Sequence, residues 1–414
     1  MKIEFYRHNI EEIDIRKAVE VLHSIFLTTG PVTAQFEQKF AQYTGLKEAI
    51  AVNSCTAAIH LALLALGIGK GDEVITTPMT FIATATSVLH AGAKVVFADV
   101  EENTGLIDVN KVEDAITPRT KAIMPVHLNG YPADMDAVNA IANKHGLVVI
   151  EDACQSHGSL YKGRKTGSLG TAAGFSLNSW KNLGGGDGGL LTTDDEDCYE
   201  RALMVREFGE RIYKGKKREY NSYAMGWMYR TTEFVGAFVR SQLKRLDEMN
   251  ACRTRNAETL KRELAKYEFI QFPAYRTDRT CVYWFFPMTI SSKSTCIDIQ
   301  DDLLRDKISY ALTSEGLRAG AWQRRILPDQ SIFRDKIGYG KGSPWTDGHY
   351  KGNVIYNPAD YPVAQAVVDQ TVWLSNMYGW PSDESDIELA LTAFDKVFSR
   401  LDEVAACELP EGWM

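Results

Sequence analysis

No stretch of the 414-residue chain comes near the roughly 18 consecutive apolar residues of a membrane-spanning helix, so none is expected. There is no excess of positive charge. The 46 Lys and Arg stand against 54 Asp and Glu, a net charge of -8, which argues against a broad nucleic-acid-binding surface. No two cysteines have C-x-x-C spacing. The seven (Cys55, Cys154, Cys198, Cys252, Cys281, Cys296, Cys407) are scattered and odd in number, which makes a disulfide framework or a zinc ribbon a poor fit, and no metal site is expected. There is no G-x-x-x-x-G-K-[ST] phosphate loop. No strand leads through G-x-G-x-x-G into a helix, which weakens a nicotinamide reading. The opening MKIEFYRHNIEEIDIRK carries too much charge for a signal peptide. Internal repeats and low-complexity tracts are also missing. What is left is the composition of an ordinary globular protein, 45% hydrophobic and 24% charged, and the expectation is a cytoplasmic acidic enzyme.

What is present first is alternation. Short β-branched runs (Ala49–Val52, Glu73–Thr77, Val95–Asp99, Ala122–Val126, Leu147–Ile150, Ala173–Ser176, Gly189–Thr193) alternate with helix-like segments at Thr56–Leu66, Phe81–Ala91, Val109–Ile116 and Met135–His145. This predicts an α/β fold with a mostly parallel sheet. The runs are apolar throughout, as strands covered on both faces are. Gly45, Gly71, Gly92 and Gly146 stand before strands, where helix C-caps belong. After about residue 200 the pattern changes. Helices are expected at Glu200–Glu210, Thr232–Leu264 (one or two), Ile299–Glu315 and Ser385–Ala406, strand-like pieces at Phe269–Phe272 and Val282–Ile290, and a long loop at Ala319–Pro358. The division expected is a large α/β domain over residues 1–250 and a smaller C-terminal α+β domain over 251–414.

Three segments carry chemistry. Leu147–Asp152 is a buried strand ending in two carboxylates, and ligands of open α/β sheets bind outside the carboxyl ends of strands. The plain alternative for Asp152 is a helix cap or a solvated turn. Asn53-Ser54-Cys55-Thr56 opens a helix with small polar residues, which suits an anion, or simple N-capping by Ser54 or Thr56. Gly174–Gly189 ends a strand at Ser176, then has Lys181 and a glycine cluster, which can adopt positive φ and approach a ligand. Lys181 suits a phosphate contact, a Schiff-base amine, or an exposed turn. A carboxylate, an anion-binding helix start and a lysine at strand ends of one sheet are what pyridoxal 5'-phosphate needs.

The same segments resemble the DegT/DnrJ/EryC1/StrS family of sugar aminotransferases. The resemblance runs from about Gly30 to the C-terminus and rests on GPVTAQFEQKFAQYTG (30–45), AVNSCTAAIHLALLALGIGKGDEVITTPMTFIATATSVLHAGA (51–93), ITPRTKAIMPVHLNGYPADMD (116–136), VIEDACQSHGSLYKGRKTGSLG (149–170), FSLNSWKNLGGGDGG (175–189) and QLKRLDE (242–248). It implies an aspartate-aminotransferase-like (fold type I) architecture, pyridoxal 5'-phosphate as cofactor, and a homodimer. It also implies transfer of an amino group from glutamate or glutamine to a keto sugar or keto-cyclitol in secondary-metabolite or surface-polysaccharide biosynthesis. No nucleic-acid or membrane partner is implied. By position, Lys181 matches the lysine that carries the cofactor and Asp152 the acid on its pyridine nitrogen. Gln155 matches the contact to the ring oxygen and Phe81 the aromatic that stacks on the ring. Ser54, Cys55, Thr56 and Ser176 fall at the phosphate positions.

The sequence also departs from the family pattern. Cys55 replaces the usual Gly of S-G-T. Leu177, Asn178 and Trp180 stand within the usual F-S-F-H-x-x-K. Met228 takes the place of the Asn of G-x-N-x-R, which reaches the other subunit's phosphate, so either Arg230 or another group substitutes or that cross-subunit contact is lost. Retained Lys181 favours transamination over the dehydration seen where the family has His. A different reaction on the same fold (dehydration, decarboxylation or carbon–carbon cleavage) and a non-catalytic binding relative remain alternatives. His127, His157 and Trp180 are further candidates to line the site, with a structural role as the alternative for each. The basic run Lys214–Arg218 reads either as a contact for an acidic or nucleotide-linked substrate or as a solvated loop.

Overall fold

The computed structural model describes residues 8–413 apart from 213–216, 347, 349, 376, 377 and 380. Two helices, α1 (Glu12–Leu22) and α2 (Pro31–Thr44), precede the main sheet. All seven apolar runs then become strands of that one sheet: β1 (Glu48–Val52), β2 (Glu73–Thr76), β3 (Lys94–Phe97), β4 (Thr120–Met124), β5 (Val148–Asp152), β8 (Ala172–Ser176) and β9 (Gly189–Thr193). A small hairpin, β6 (Leu160–Tyr161) and β7 (Arg164–Lys165), sits apart from it. The spatial order is β1-β9-β8-β5-β4-β2-β3. β9 runs antiparallel to both its neighbours, and the other strands all point one way.

Helices cover both faces, which is why the strands need no polar side. α3 (Cys55–Ala65), α4 (Ile82–His90), α5 (Val109–Asp114), α6 (Met135–His145) and α7 (Glu196–Arg206) lie in the segments between or after the strands. α3 is almost wholly apolar and buried. On another face Phe36 and Phe40 of α2 meet Phe175 and Leu177, together with Val239 and Leu243 of α8 (Glu233–Leu243). Gly45 and Gly146 end α2 and α6 in the left-handed conformation, as expected of C-caps. α7 starts earlier than the sequence suggests because the Asp195 side chain accepts from Cys198 N–H and caps it.

The second half holds a three-stranded antiparallel sheet, β10 (Phe286–Thr289), β11 (Ala319–Gly320) and β12 (Thr371–Leu374), in the order β10-β12-β11. The expected strand at Phe269–Phe272 contributes only a bridge between Gln271 and Thr289. Pro273 has no N–H with which to extend that ladder. The expected C-terminal helix is two, Glu384–Phe398 and Leu401–Ala406, divided where Arg400 leaves helical φ/ψ. The segment at 319–358 is not one loop. It contains short helical turns at Leu327–Asp329 and Ser331–Arg334 and packs on the main sheet, with Tyr356 Oη donating to Val95 O at 2.9 Å and the rings of Phe333 and Phe97 5.2 Å apart. α9 (Leu246–Leu264) runs unbroken through the expected domain boundary and ties both regions together. Asn250 Nδ2 donates to His157 O, and Asn256 Nδ2 donates to Tyr378 O. No helix among the described residues is long and apolar enough to cross a membrane.

Candidate active site

Successive residues of a strand point to opposite faces, so the two carboxylates that end β5 part company. Glu151 accepts from the N–H groups of Gly167 (2.8 Å), Leu169 (2.7 Å) and Gly170 (2.7 Å) and lies 2.8 Å from His127 Nε2. His127 Nδ1 in turn accepts from Ala133 N–H at 3.1 Å, which leaves the proton on Nε2. Both side chains are fully buried and hold loops together, so His127 is a structural histidine here. Asp152 faces the other way, into a cavity of about 590 Å³. Its Oδ2 accepts from Thr84 Oγ1 at 2.7 Å and its Oδ1 from Cys154 N–H at 3.2 Å. Thr80 Oγ1, 2.8 Å from Thr84 Oγ1, extends the chain of hydroxyls. The carboxylate is held at a set angle.

The start of α3 forms the next wall. Ser54 is the N-cap and its Oγ accepts from Ala57 N–H at 3.1 Å, so the capping role is real. Capping does not exclude an anion. The N–H groups of Cys55 and Thr56 open the helix ahead of its own ladder, and Ser54, Cys55 and Thr56 all line the cavity. The helix lies so close on the sheet that a Cβ at Gly189 would stand 2.4 Å from Ser54 O, and one at Gly174 2.7 Å from Ile59 Cγ1.

Lys181 follows β8 in a turn built by Asn178. Asn178 Oδ1 accepts from Trp180 N–H (3.1 Å), its backbone O accepts from Lys181 N–H (2.9 Å), and its Nδ2 donates to Asp187 Oδ1 (3.2 Å). The glycine cluster mostly serves packing rather than a ligand. A Cβ at Gly184 would strike Ser179 O at 2.8 Å, and one at Gly185 would strike Val239 Cγ2 at 2.5 Å; of the cluster, Gly188 lines the cavity. Leu177 is buried in the core beneath α8. The Lys181 amine rests 3.5 Å from the centre of the Trp284 ring, and Trp284 Nε1 donates to Trp180 O at 2.9 Å.

One cavity therefore gathers Lys181, Asp152, Gln155, Phe81, Ser54, Cys55, Thr56 and Ser176. Trp180 joins them. Arg230 does not line this cavity within one chain. It bridges to Val52, approaches Glu207 at 3.4 Å and Phe208 at 5.5 Å, and lines a different cavity with Glu37 and Arg206. The Glu207 carboxylate draws it there. Met228 is 52% exposed. His157 is buried against Phe175, and burial together with the nearby Lys181 charge pushes its pKa down to about 3. Burial disfavours its charged form. Of the basic run, residues 214–216 lie outside the described ones, and Arg218 is bonded twice to Glu210. Sequence reasoning missed Thr84, Cys154, Asp187, Trp284, Phe285 and Trp322. Thr84 had a signal, three residues after Phe81 on a helix. The three later aromatics had none in local pattern.

Cys55 Sγ, Cys154 Sγ and an Asp152 oxygen lie within 4.8 Å of one another. The Cys154 thiol, burial and the Asp152 charge, in that order, raise the Cys55 pKa well above that of a free thiol. Cys55 is expected to stay protonated and inert near pH 8. In maleimide labelling followed by peptide mass spectrometry, exposed Cys296 should react first and Cys55 only after unfolding. Early labelling of Cys55 in the native protein would contradict this.

The residues present fit pyridoxal phosphate. Gln155 Oε1 accepts from Asn129 N–H at 2.7 Å, while its buried Nε2 has no partner among the described residues, a donor left for a ring oxygen. Asp152 suits a protonated ring nitrogen, the α3 start and Ser176 suit a phosphate, and Lys181 suits an aldehyde. Phe81, 57% exposed at the N-cap of α4, offers a free ring.

A lysine, a buried aspartate and a helix start at strand ends of such a sheet suit a pyridoxal-phosphate enzyme of fold type I. The chain belongs to the DegT/DnrJ/EryC1/StrS aminotransferase family, whose pattern matches residues 8–382. Over 242 residues it is 46% identical to the spore coat polysaccharide biosynthesis protein SpsC of Bacillus subtilis (strain 168), a match covering 57% of this chain and 62% of SpsC, less than two thirds of that relative. The structure of DesV from S. venezuelae is similar with a TM-score of 0.80 at 31% identity over 94% of each chain. The aminotransferase from Psychrobacter cryohalolentis is similar with a TM-score of 0.84 at 30% identity, over 96% of this chain and 100% of that one.

Proposed function

We propose that this protein is a pyridoxal-phosphate aminotransferase that moves an amino group from glutamate or glutamine to a keto sugar or keto-cyclitol, in the making of a surface polysaccharide or a secondary metabolite. The observation that carries the reading is the convergence on one cavity, beside the α3 start, of the Lys181 amine, the Asp152 carboxylate and Gln155 Nε2, which has no partner among the described residues. When bound, the cofactor supplies an aldehyde that condenses with amines and a ring that withdraws electrons. Asp152, oriented by Thr84 and Cys154 N–H, holds the proton on the ring nitrogen. Gln155 Nε2 would donate to the ring oxygen, the N–H groups of Cys55 and Thr56 would take the phosphate, and Lys181 Nζ would take the proton from the donor's α-carbon. SpsC's role in spore coat polysaccharide biosynthesis supports the biosynthetic setting.

The test is a donor half-reaction on the holoenzyme. Glutamate or glutamine should yield its keto acid in one equivalent per site before any acceptor is added. Cofactor bound without keto acid release would instead favour another reaction on the same fold.

The reading includes a homodimer. Phe208, Tyr220, Tyr223, Met225, Trp227 and Met228 leave apolar surface exposed along one stretch of chain, with Met225 84% exposed. Such a surface is costly in water and suits a second copy. Light scattering should give twice the chain mass of 46.3 kDa at micromolar concentration. A monomer under those conditions would reject the dimer.

A further inference from the structure

The cavity is lined by two unlike sets of side chains. Asp152, Gln155, Ser54, Thr56 and Ser176 are polar and match the cofactor. Four aromatic residues, Trp180, Trp284, Phe285 and Trp322, line it as well, and the cofactor's needs do not explain them. The rings are braced. Trp284 and Phe285 have ring centres 4.1 Å apart, and Trp322 stands edge-on to Trp284 at 5.7 Å and 88°. Trp322 also lies 6.0 Å from Phe285 and 6.5 Å from Trp373 behind it. Trp284 is buried and bonded to Trp180 O, whereas Trp180 is 39% exposed and Trp322 half-buried. The Lys181 amine lies against the Trp284 ring. A substrate atom that meets Lys181 therefore brings the rest of its molecule beside the rings.

We propose that Trp180, Trp284, Phe285 and Trp322 form the acceptor subsite and bind a saturated six-membered ring by stacking on its apolar C–H face. The proposal rests on the aminotransferase reading. The chemistry follows from amphipathic geometry. A sugar or cyclitol ring carries hydroxyls at its edge and C–H groups on its faces, and an aromatic face takes those C–H groups while the hydroxyls keep their water. An acyclic keto acid has no such face and gains little from the rings. Trp322 comes from the 319–358 segment, which packs over the sheet, so that segment sets how much room the acceptor has. The shared chemistry is a neutral ring, whether free as a cyclitol or linked to a nucleoside diphosphate.

The experiment compares wild type, Trp322→Ala and Trp322→Phe as pyridoxamine-phosphate-loaded protein. The probes are 2-keto-myo-inositol, a nucleoside-diphosphate 4-keto-6-deoxyhexose, and 2-oxoglutarate as the acyclic control. Binding is read by quenching of tryptophan fluorescence and turnover by single-turnover kinetics. For the ring probe preferred by wild type, Trp322→Ala should raise Kd and KM about tenfold or more. Its kcat should fall much less. Trp322→Phe, which keeps a ring, should recover most of the affinity. The response to 2-oxoglutarate should change less than threefold. The preferred ring probe itself separates a free from a nucleotide-linked acceptor. An unchanged ring-probe KM in Trp322→Ala overturns the proposal, as does an equal loss for all three probes or wild type binding neither ring probe. Failure of wild type to release keto acid from any donor strikes the aminotransferase reading, while the fluorescence titration still reads the subsite.

Discussion

Lys181→Ala is expected to lower transamination by about four orders of magnitude or more, with the fold intact. The expectation follows from two roles ending together, the attachment of the cofactor and the transfer of the donor's α-proton. No other lysine lines the cavity among the described residues, so no neighbour takes over. The fold should survive because Lys181 sits in a turn held by Asn178, and its amine contacts the Trp284 face rather than a buried ion pair. Circular dichroism and thermal unfolding should match wild type. Wild-type turnover by the variant would remove the lysine from the mechanism, and an unfolded variant would mean that Lys181 holds the turn.

Asp152→Asn should cost about 10²–10³ in kcat while cofactor binding persists. Asn has the shape of Asp and can still accept from Thr84 Oγ1 or Cys154 N–H. It has lost the charge that keeps a ring nitrogen protonated. Gln155 and the α3 start are untouched, so the cofactor should stay in place. Equal kcat in the two proteins would refute the role given to Asp152, and complete loss of cofactor would make it a binding group first.

Much of this was legible in the sequence, for physical reasons. Strands buried on both faces betray themselves as continuous apolar runs, and all seven were readable. Lys181, Asp152, Gln155 and the Ser54–Thr56 helix start lie at the ends of those strands, so strand positions nearly locate the cavity. Other features depend on partners distant in sequence. Trp284, Phe285 and Trp322 come from beyond residue 280 and reach Lys181 through packing of the second sheet and its long connection. The glycine cluster looked like a ligand cradle and proved to be mainly close packing against Ser179 and α8, which only the fold reveals. His127 looked like a site residue because it ends a strand, yet Glu151 and Ala133 hold it on the far face. The departure at Asn178 also has its reason, since the side chain builds the turn that presents the lysine.

The central claim is that Lys181 carries the cofactor. Its most direct test is borohydride reduction of protein loaded with pyridoxal phosphate, followed by digestion and peptide mass spectrometry. The account predicts one phosphopyridoxyl group per chain, on the peptide containing Lys181, and no such label when Lys181 is alanine. Stoichiometric label on another lysine, or none on wild type, would contradict it.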